Sequence, residues 1–215
     1  MNFYVYNKKN LINLLIFLMY IKSLKLSKVS YFLSLLVMIM FISKVIAAEN
    51  ALSFPFNADS GKYWQYVSDR VMGGVSDGQV TLEQDGEMYF ARLTGNVSTK
   101  NNGGFIQVRA NVSFSNSEKD GNNLQGVRLN VRGNGETYYI HIRTNDSWSP
   151  SDYYSATFKA GSDWKMINLP FDNFQRRRGS NEKTLDAKNI TSFGIVAYGR
   201  DHTSDVSVST IEFYY

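Results

Sequence analysis

The chain has 215 residues with 23 lysines and arginines against 19 acidic side chains, but six of the basic ones (Lys8, Lys9, Lys22, Lys25, Lys28 and Lys44) precede Glu49, and every acidic one stands at or after it. The remainder therefore holds 17 basic against 19 acidic residues, a net charge of −2, which removes the cationic footprint of a nucleic-acid-binding domain and excludes nucleic acid as a partner class. There is no cysteine, which excludes disulfides, thiol nucleophiles and thiolate metal sites and leaves the fold to be held by its core.

Residues 1–48 read as a leader. Leu11 to Ile21 is an apolar run broken by Asn13, and Val29 to Ile42 is a second, nearly pure run behind Lys22, Lys25 and Lys28. At roughly 14 residues the second run is short of the ~20 that cross a bilayer as a helix, and the small pair Ala47 and Ala48 follows where a signal peptidase cuts. The reading is a signal peptide and an exported, periplasmic or secreted domain. The alternative is an uncleaved leader that anchors the protein to a membrane, since Lys44 interrupts the approach to the cleavage site. A start at Met19 gives a more ordinary signal peptide, and the lack of arginine before Arg70 argues against a mitochondrial transit peptide.

Residues 49–215 read as one all-β domain. Apolar and polar residues alternate over short runs separated by Asp77-Gly78, Asp85-Gly86, Asn102-Gly103, Asp120-Gly121 and Asn134-Gly135, pairs that accept the positive φ of tight turns. A two-residue turn at Asn134 and Gly135 predicts a hairpin in which Val131 faces Tyr138, Leu129 faces Ile140 and Val127 faces Ile142. The same register sets Arg128, Asn130 and Arg132 against His141, Tyr139 and Thr137, giving one apolar and one polar face. Further strands are predicted at Tyr153 to Phe158, Trp164 to Leu169, Phe193 to Tyr198 and Val206 to Tyr215. Long polar loops are predicted at Asn116 to Asn123 and Arg176 to Lys188. That strand count fits a jelly-roll β-sandwich.

The search for chemistry gives no catalytic residues. His141 and His202 are the only histidines, no serine stands in a nucleophile elbow, and Asp69, Asp77, Asp152, Asp163 and Asp172 do not pair at strand-face spacing as a glycosidase requires. No metal site is assigned and no cofactor is expected; a structural calcium held by loop carboxylates stays open. Gly133, Asn134 and Gly135 lack the third glycine and the helix of a dinucleotide loop. Arg176, Arg177 and Arg178 form a cationic run that could grip a phosphate or an acidic lipid head group. Trp64, Trp164 and Phe171 are expected in the core, whereas Trp148, Tyr153 and Tyr154 are candidate stacking platforms.

The segment Val67 to Gly78 (Val-Ser-Asp-Arg-Val-Met-Gly-Gly-Val-Ser-Asp-Gly) resembles the signature of the complex I intermediate-associated protein 30 family. The resemblance continues through Asn102, Gly103, Gly104, Phe105, Val108 and Arg109, then Gly126 to Gly135 with Tyr138 to Thr144, and on through Trp164 to Phe171, Phe174, Arg178, Gly179, Ile190, Phe193, Gly194 and Ile195. It implies a galactose-binding-like jelly roll similar to some carbohydrate-binding modules, and a role like that of the mitochondrial members, which act as chaperones for assembly of respiratory complex I.

The expected function is a non-catalytic binding module, of the protein-interaction or assembly-factor type, with a carbohydrate-binding module of the cell envelope as the alternative. The candidate ligand residues are Arg128, Asn130, Tyr139, His141, Arg143, Trp148 and Tyr153. Asp69, Arg70, Met72, Gly73, Gly74 and Ser76 form a motif loop with a structural or binding role.

Overall fold

The structure is a computed structural model and describes residues 51–112, 124–178 and 185–215. The leader, the loop at Asn116 to Asn123 and residues 179–184 of the second long loop lie outside the described residues, as does the Asp120-Gly121 pair. Among the described residues no helix is long and apolar enough to cross a membrane.

Among the described residues twelve strands follow one another: β1 (Ala51–Pro55), β2 (Trp64–Ser68), β3 (Asp77–Asp85), β4 (Met88–Val97), β5 (Phe105–Asn111), β6 (Gly126–Gly133), β7 (Thr137–Thr144), β8 (Tyr154–Lys159), β9 (Lys165–Pro170), β10 (Gln175–Arg176), β11 (Ile190–Tyr198) and β12 (His202–Tyr214). They form two antiparallel sheets, as the alternation predicts. The first runs β3-β4-β12-β6-β9, with β1 also on β12; the second runs β10-β8-β7-β11-β5-β2.

The hairpin predicted around Asn134 and Gly135 does not form. Strand β6 pairs with β12 and β9, and β7 pairs with β11 and β8, so the chain steps from one sheet to the other between them. The step is held by Gly135 N–H to the Ala160 carbonyl (2.7 Å), Asn134 N–H to the Asp205 carbonyl (3.0 Å), and the Tyr138 hydroxyl to Asn134 Oδ1 (2.7 Å). Gly135 has φ of 87°, a conformation open to glycine.

Alternation is the same for a hairpin and for such an arch. Val127, Leu129 and Val131 are buried in either case with Tyr138, Ile140 and Ile142, but here the two sets enter one core from opposite sheets. The consequence falls on the polar residues. Arg128 and Asn130 point out from the first sheet and Tyr139, His141 and Arg143 from the second, so the polar face predicted as one surface is two surfaces on opposite sides of the sandwich.

Other boundaries shift little. Asp77 and Gly78 begin β3 rather than turning, and Gly78 is packed against the Thr94 carbonyl of β4. Asp85 and Gly86 do turn between β3 and β4, with Gly86 at φ of 59°. The core is closed at one end by rings: Phe54, Trp64, Phe193 and Phe213 meet edge to face at centroid distances of 5.0 to 5.8 Å. Trp64 and Phe171 pack on this core as expected. Trp164 instead lies outside the first sheet, 5.4 Å from Phe90. Tyr154, a predicted platform, is buried in the core.

Candidate functional site

Three parts of the surface bear on function: the motif loop, the outer face of the first sheet and the outer face of the second.

In the motif loop, Asp69 to Met72 make one turn of 3-10 helix capped by Gly73, whose φ of 90° is in the left-handed region. Asp69 is fully buried and accepts four hydrogen bonds: Ser76 N–H (2.9 Å) on Oδ1, and the Ser76 hydroxyl (2.5 Å), Gly104 N–H (2.6 Å) and Phe105 N–H (3.3 Å) on Oδ2. Burial alone would raise its pKa, but the Gly104 amide and the two Ser76 donors outweigh burial and hold the carboxyl below its ordinary value. Side chains at Gly74 or Gly103 would overlap this carboxyl, which explains why both motifs carry glycine there. Asp69 therefore ties the first motif to the Gly103-Gly104 motif. Arg70 stays at the surface, donating to the Ser76 carbonyl (3.1 Å) and pairing with Asp77 (3.1 Å). The tied loop holds Val71 at 76% and Met72 at 63% exposure.

On the outer face of the first sheet most polar groups satisfy one another, although Trp164 Nε1 is buried without a hydrogen-bond partner. Arg92 makes a two-bond fork to Asp205 at 2.8 Å each, Asn130 donates to the Ser209 hydroxyl (2.7 Å), and Arg128 donates to Asn168 (3.2 Å) and faces Glu212 at 3.6 Å. The Arg132 guanidinium lies over the rings of both Phe90 (5.0 Å) and Trp164 (4.8 Å).

The outer face of the second sheet is different. Register aligns Gln107, Val196, Tyr139 and Thr157 in one row across β5, β11, β7 and β8, and Arg109, Gly194, His141 and Ser155 in the next. The Tyr153 ring covers His141, stacked at 3.9 Å and 19°, and the Tyr198 ring meets both Tyr139 and His141 edge to face at 5.6 Å. Arg143 stands 5.5 Å over Tyr153, and Arg177 stands 5.1 Å over Tyr198. Here Gln107 Oε1, His141 Nε2 and Arg143 Nε and Nη1 are buried with no hydrogen-bond partner in the protein. A buried unpaired polar atom costs about 1–3 kcal/mol, so this face carries a cost that the first sheet's face largely avoids.

His141 is 4% exposed, and burial first, then the charges of Arg143 and Arg177, bring its pKa down to about 3. The folded protein refuses a proton that the unfolded chain takes near pH 6.5, so acid favours unfolding across that window. Unfolding free energy is expected to fall by up to about 1.4 kcal/mol per pH unit below 6.5. In His141→Phe, which keeps a ring under Tyr153, urea titrations at pH 7 and 4.5 should differ by correspondingly less.

The loop that delivers Tyr153 is latched from below. Arg176 Nε and Nη2 donate to Asp152 Oδ1 (2.9 Å) and Oδ2 (2.8 Å), Nη1 reaches Asp146 Oδ2 (3.1 Å), and Arg143 Nη2 donates to the Pro150 carbonyl (2.7 Å). Trp148 projects from this loop at 69% exposure, whereas Tyr153 is buried against His141. Of the predicted ligand residues, the structure thus gathers Tyr139, His141, Arg143 and Tyr153, puts Trp148 on the adjoining loop, and separates Arg128 and Asn130. Gln107, Arg109 and Tyr198, which are not among the predicted ligand residues, complete the cluster with Arg177 of the cationic run. Outward parity in β11 pointed to Tyr198, because it falls in step with Gly194 and Val196 and out of step with Phe193, Ile195 and Ala197. Among the described residues no group of three His, Asp or Glu side chains could hold a metal ion.

The two-sheet architecture is that of carbohydrate-binding-module-like sandwiches. The family 11 carbohydrate-binding module from Clostridium thermocellum, solved with a β-1,3-1,4-mixed-linked tetrasaccharide, has a TM-score of 0.58 at 16% identity, over 75% of this chain and 95% of that one. The corresponding module of the cellulosomal cellulase Lic26A-Cel5E of the same organism has a TM-score of 0.55 at 14% identity, over 71% and 88%. An exo-β-agarase has a TM-score of 0.50 at 7% identity, covering 74% of this chain and 24% of that one. At these identities the likeness is one of fold. By sequence, the Complex I intermediate-associated protein 30 (CIA30) family matches residues 54–208, and the chain belongs to that family. Among the curated proteins none matches it.

Proposed function

We propose that the domain is a non-catalytic binding module whose ligand face is the outer face of the second sheet, and that the ligand is a saccharide. The observation that carries this reading is the cluster of partly exposed Tyr139, Arg143 and Tyr198 beside exposed Trp148 and Arg177, lying over the buried, unpaired polar atoms of Gln107, His141 and Arg143. A sugar ring offers hydroxyls that donate and accept and a C–H face that stacks on an aromatic ring, which matches both halves of that surface. The fold it shares with modules solved as carbohydrate binders supports the reading. A glycan array should return binding that is lost in Tyr139→Ala, whose side chain is partly exposed on this face; a blank array would sink the reading.

A protein partner, engaged in the manner of an assembly factor, is the second reading. It is favoured by family membership and by the rigid display of Val71 and Met72, which Asp69 holds exposed at a fixed place. The same array separates the two, because a module that binds only protein leaves it blank. An exported location, or attachment to a membrane through residues 1–48, is proposed from the leader alone and is compatible with either.

A further inference from the structure

The second sheet's outer face concentrates positive charge in a domain that is otherwise slightly acidic. Arg109 on β5 and Arg143 on β7 project on either side of β11, whose outward residues there are Ser192 and Gly194, so no bulky side chain of β11 stands between them. Arg177 reaches the same patch by lying over Tyr198 of β11, and Arg143 by lying over Tyr153.

No carboxylate among the described residues pairs with any of these three. Arg70, Arg92, Arg128, Arg176 and Arg200 each have an acidic partner, whereas Arg132 on the first sheet rests on the Phe90 and Trp164 rings and Arg178 stands exposed next to Arg177. The three charges also act on one another's surroundings: after burial, Arg109 is the group that lowers Arg143, and Arg143 with Arg177 adds to burial in keeping His141 neutral. Like charges set together without a counter-charge repel, and a bound anion relieves that repulsion while receiving charge-assisted hydrogen bonds. Residues 49–215 carry a net charge of −2, so the patch does not follow from a basic domain.

We propose that the saccharide bound on this face is acidic, its carboxylate or sulfate group held among Arg109, Arg143 and Arg177 and its ring laid on Tyr139 and Tyr198. This rests on the reading of the face as a saccharide site and adds the ligand's charge. The arginines are the source of selectivity, because a neutral sugar leaves their repulsion in place.

The test is calorimetric titration of the full chain with tetrasaccharides of galacturonate, mannuronate and guluronate, with a sulfated galactose tetrasaccharide, and with the carboxyl-reduced, neutral form of each uronate. At least one acidic tetrasaccharide should bind about tenfold or more tighter than its neutral counterpart, and the advantage should shrink as salt is raised to about 0.5 M. Whether the uronates or the sulfated sugar gain more tells which anionic group is preferred. Arg109→Gln and Arg177→Gln, both at partly or fully exposed side chains, should each weaken binding at least about fivefold, while Lys165→Gln on the first sheet leaves it unchanged. Equal affinity for acidic and neutral forms would overturn the charge assignment and leave the saccharide site standing. No binding of any saccharide would overturn both. Hexaglutamate binding as tightly as the best acidic tetrasaccharide would overturn the saccharide in favour of an acidic peptide.

Discussion

Asp69→Ala is expected to lower the unfolding free energy by about 3–5 kcal/mol, enough to unfold a domain of ordinary stability at moderate temperature. The carboxylate is fully buried and receives three backbone N–H groups and one hydroxyl, and its removal leaves those donors with no acceptor in a space closed to water. Each stranded donor costs about 1–3 kcal/mol, partly relieved where the loops can move apart. Asp69→Asn keeps the shape but turns an acceptor into a donor facing the Gly104 amide, and should cost about 2 kcal/mol. Chemical denaturation of the three proteins checks this ordering. An Asp69→Ala protein within about 0.5 kcal/mol of the parent would mean that the two motif loops are held by something else.

Arg176→Met should have an effect of similar size by a different route. Asp152 is 0% exposed and has its charge met by a two-bond fork from Arg176, which holds the carboxyl below its ordinary pKa. Breaking such a pair from one side leaves an uncompensated buried charge, at about 3–5 kcal/mol, whereas replacing both partners by apolar residues of similar size is often close to neutral. The double variant Arg176→Met with Asp152→Leu should therefore be clearly more stable than Arg176→Met alone, measured by urea unfolding at pH 7. The latch also sets the loop that brings Tyr153 onto His141, so Arg176→Met is expected to weaken ligand binding as well as folding.

The class of fold was legible because period-2 alternation and the spacing of turn residues are local properties. Strands β8, β9, β11 and β12 lie within a few residues of where the pattern puts them. The partner of each strand was not legible. Val127, Leu129 and Val131 are apolar in alternate positions whether β6 folds back on β7 or faces it across a core, and the turn pair Asn134-Gly135 serves both geometries. That ambiguity merged two outer faces into one and attached Arg128 and Asn130 to residues on the far side of the sandwich. At the motif loop the sequence left a structural and a binding role open, and the structure shows Asp69 accepting backbone amides from Ser76 and Gly104. Arg109 and Arg177 were not assigned to this site because they come from β5 and from the segment after β10, far apart in the chain and brought together only by the order of strands in the second sheet; the sequence marked Arg177 only as part of a cationic run. Burial was the other blind spot. Tyr153 and Tyr154 are adjacent and chemically alike, yet one covers His141 on the outer face and the other enters the core, which follows from strand parity once β8 is known to begin at Tyr154.

The central claim is that the outer face of the second sheet is where this CIA30-family domain takes its ligand. An amide chemical-shift map of the ¹⁵N-labelled protein, recorded while each of the acidic tetrasaccharides is added in turn, tests it most directly. Saturable shifts are expected, centred on Gln107, Arg109, Tyr139, His141, Arg143 and Tyr198, with the amides of Asn130, Arg132 and Ser207 unmoved. Shifts centred on the first sheet or on the Asp69 to Ser76 loop, or none at millimolar ligand, would contradict it.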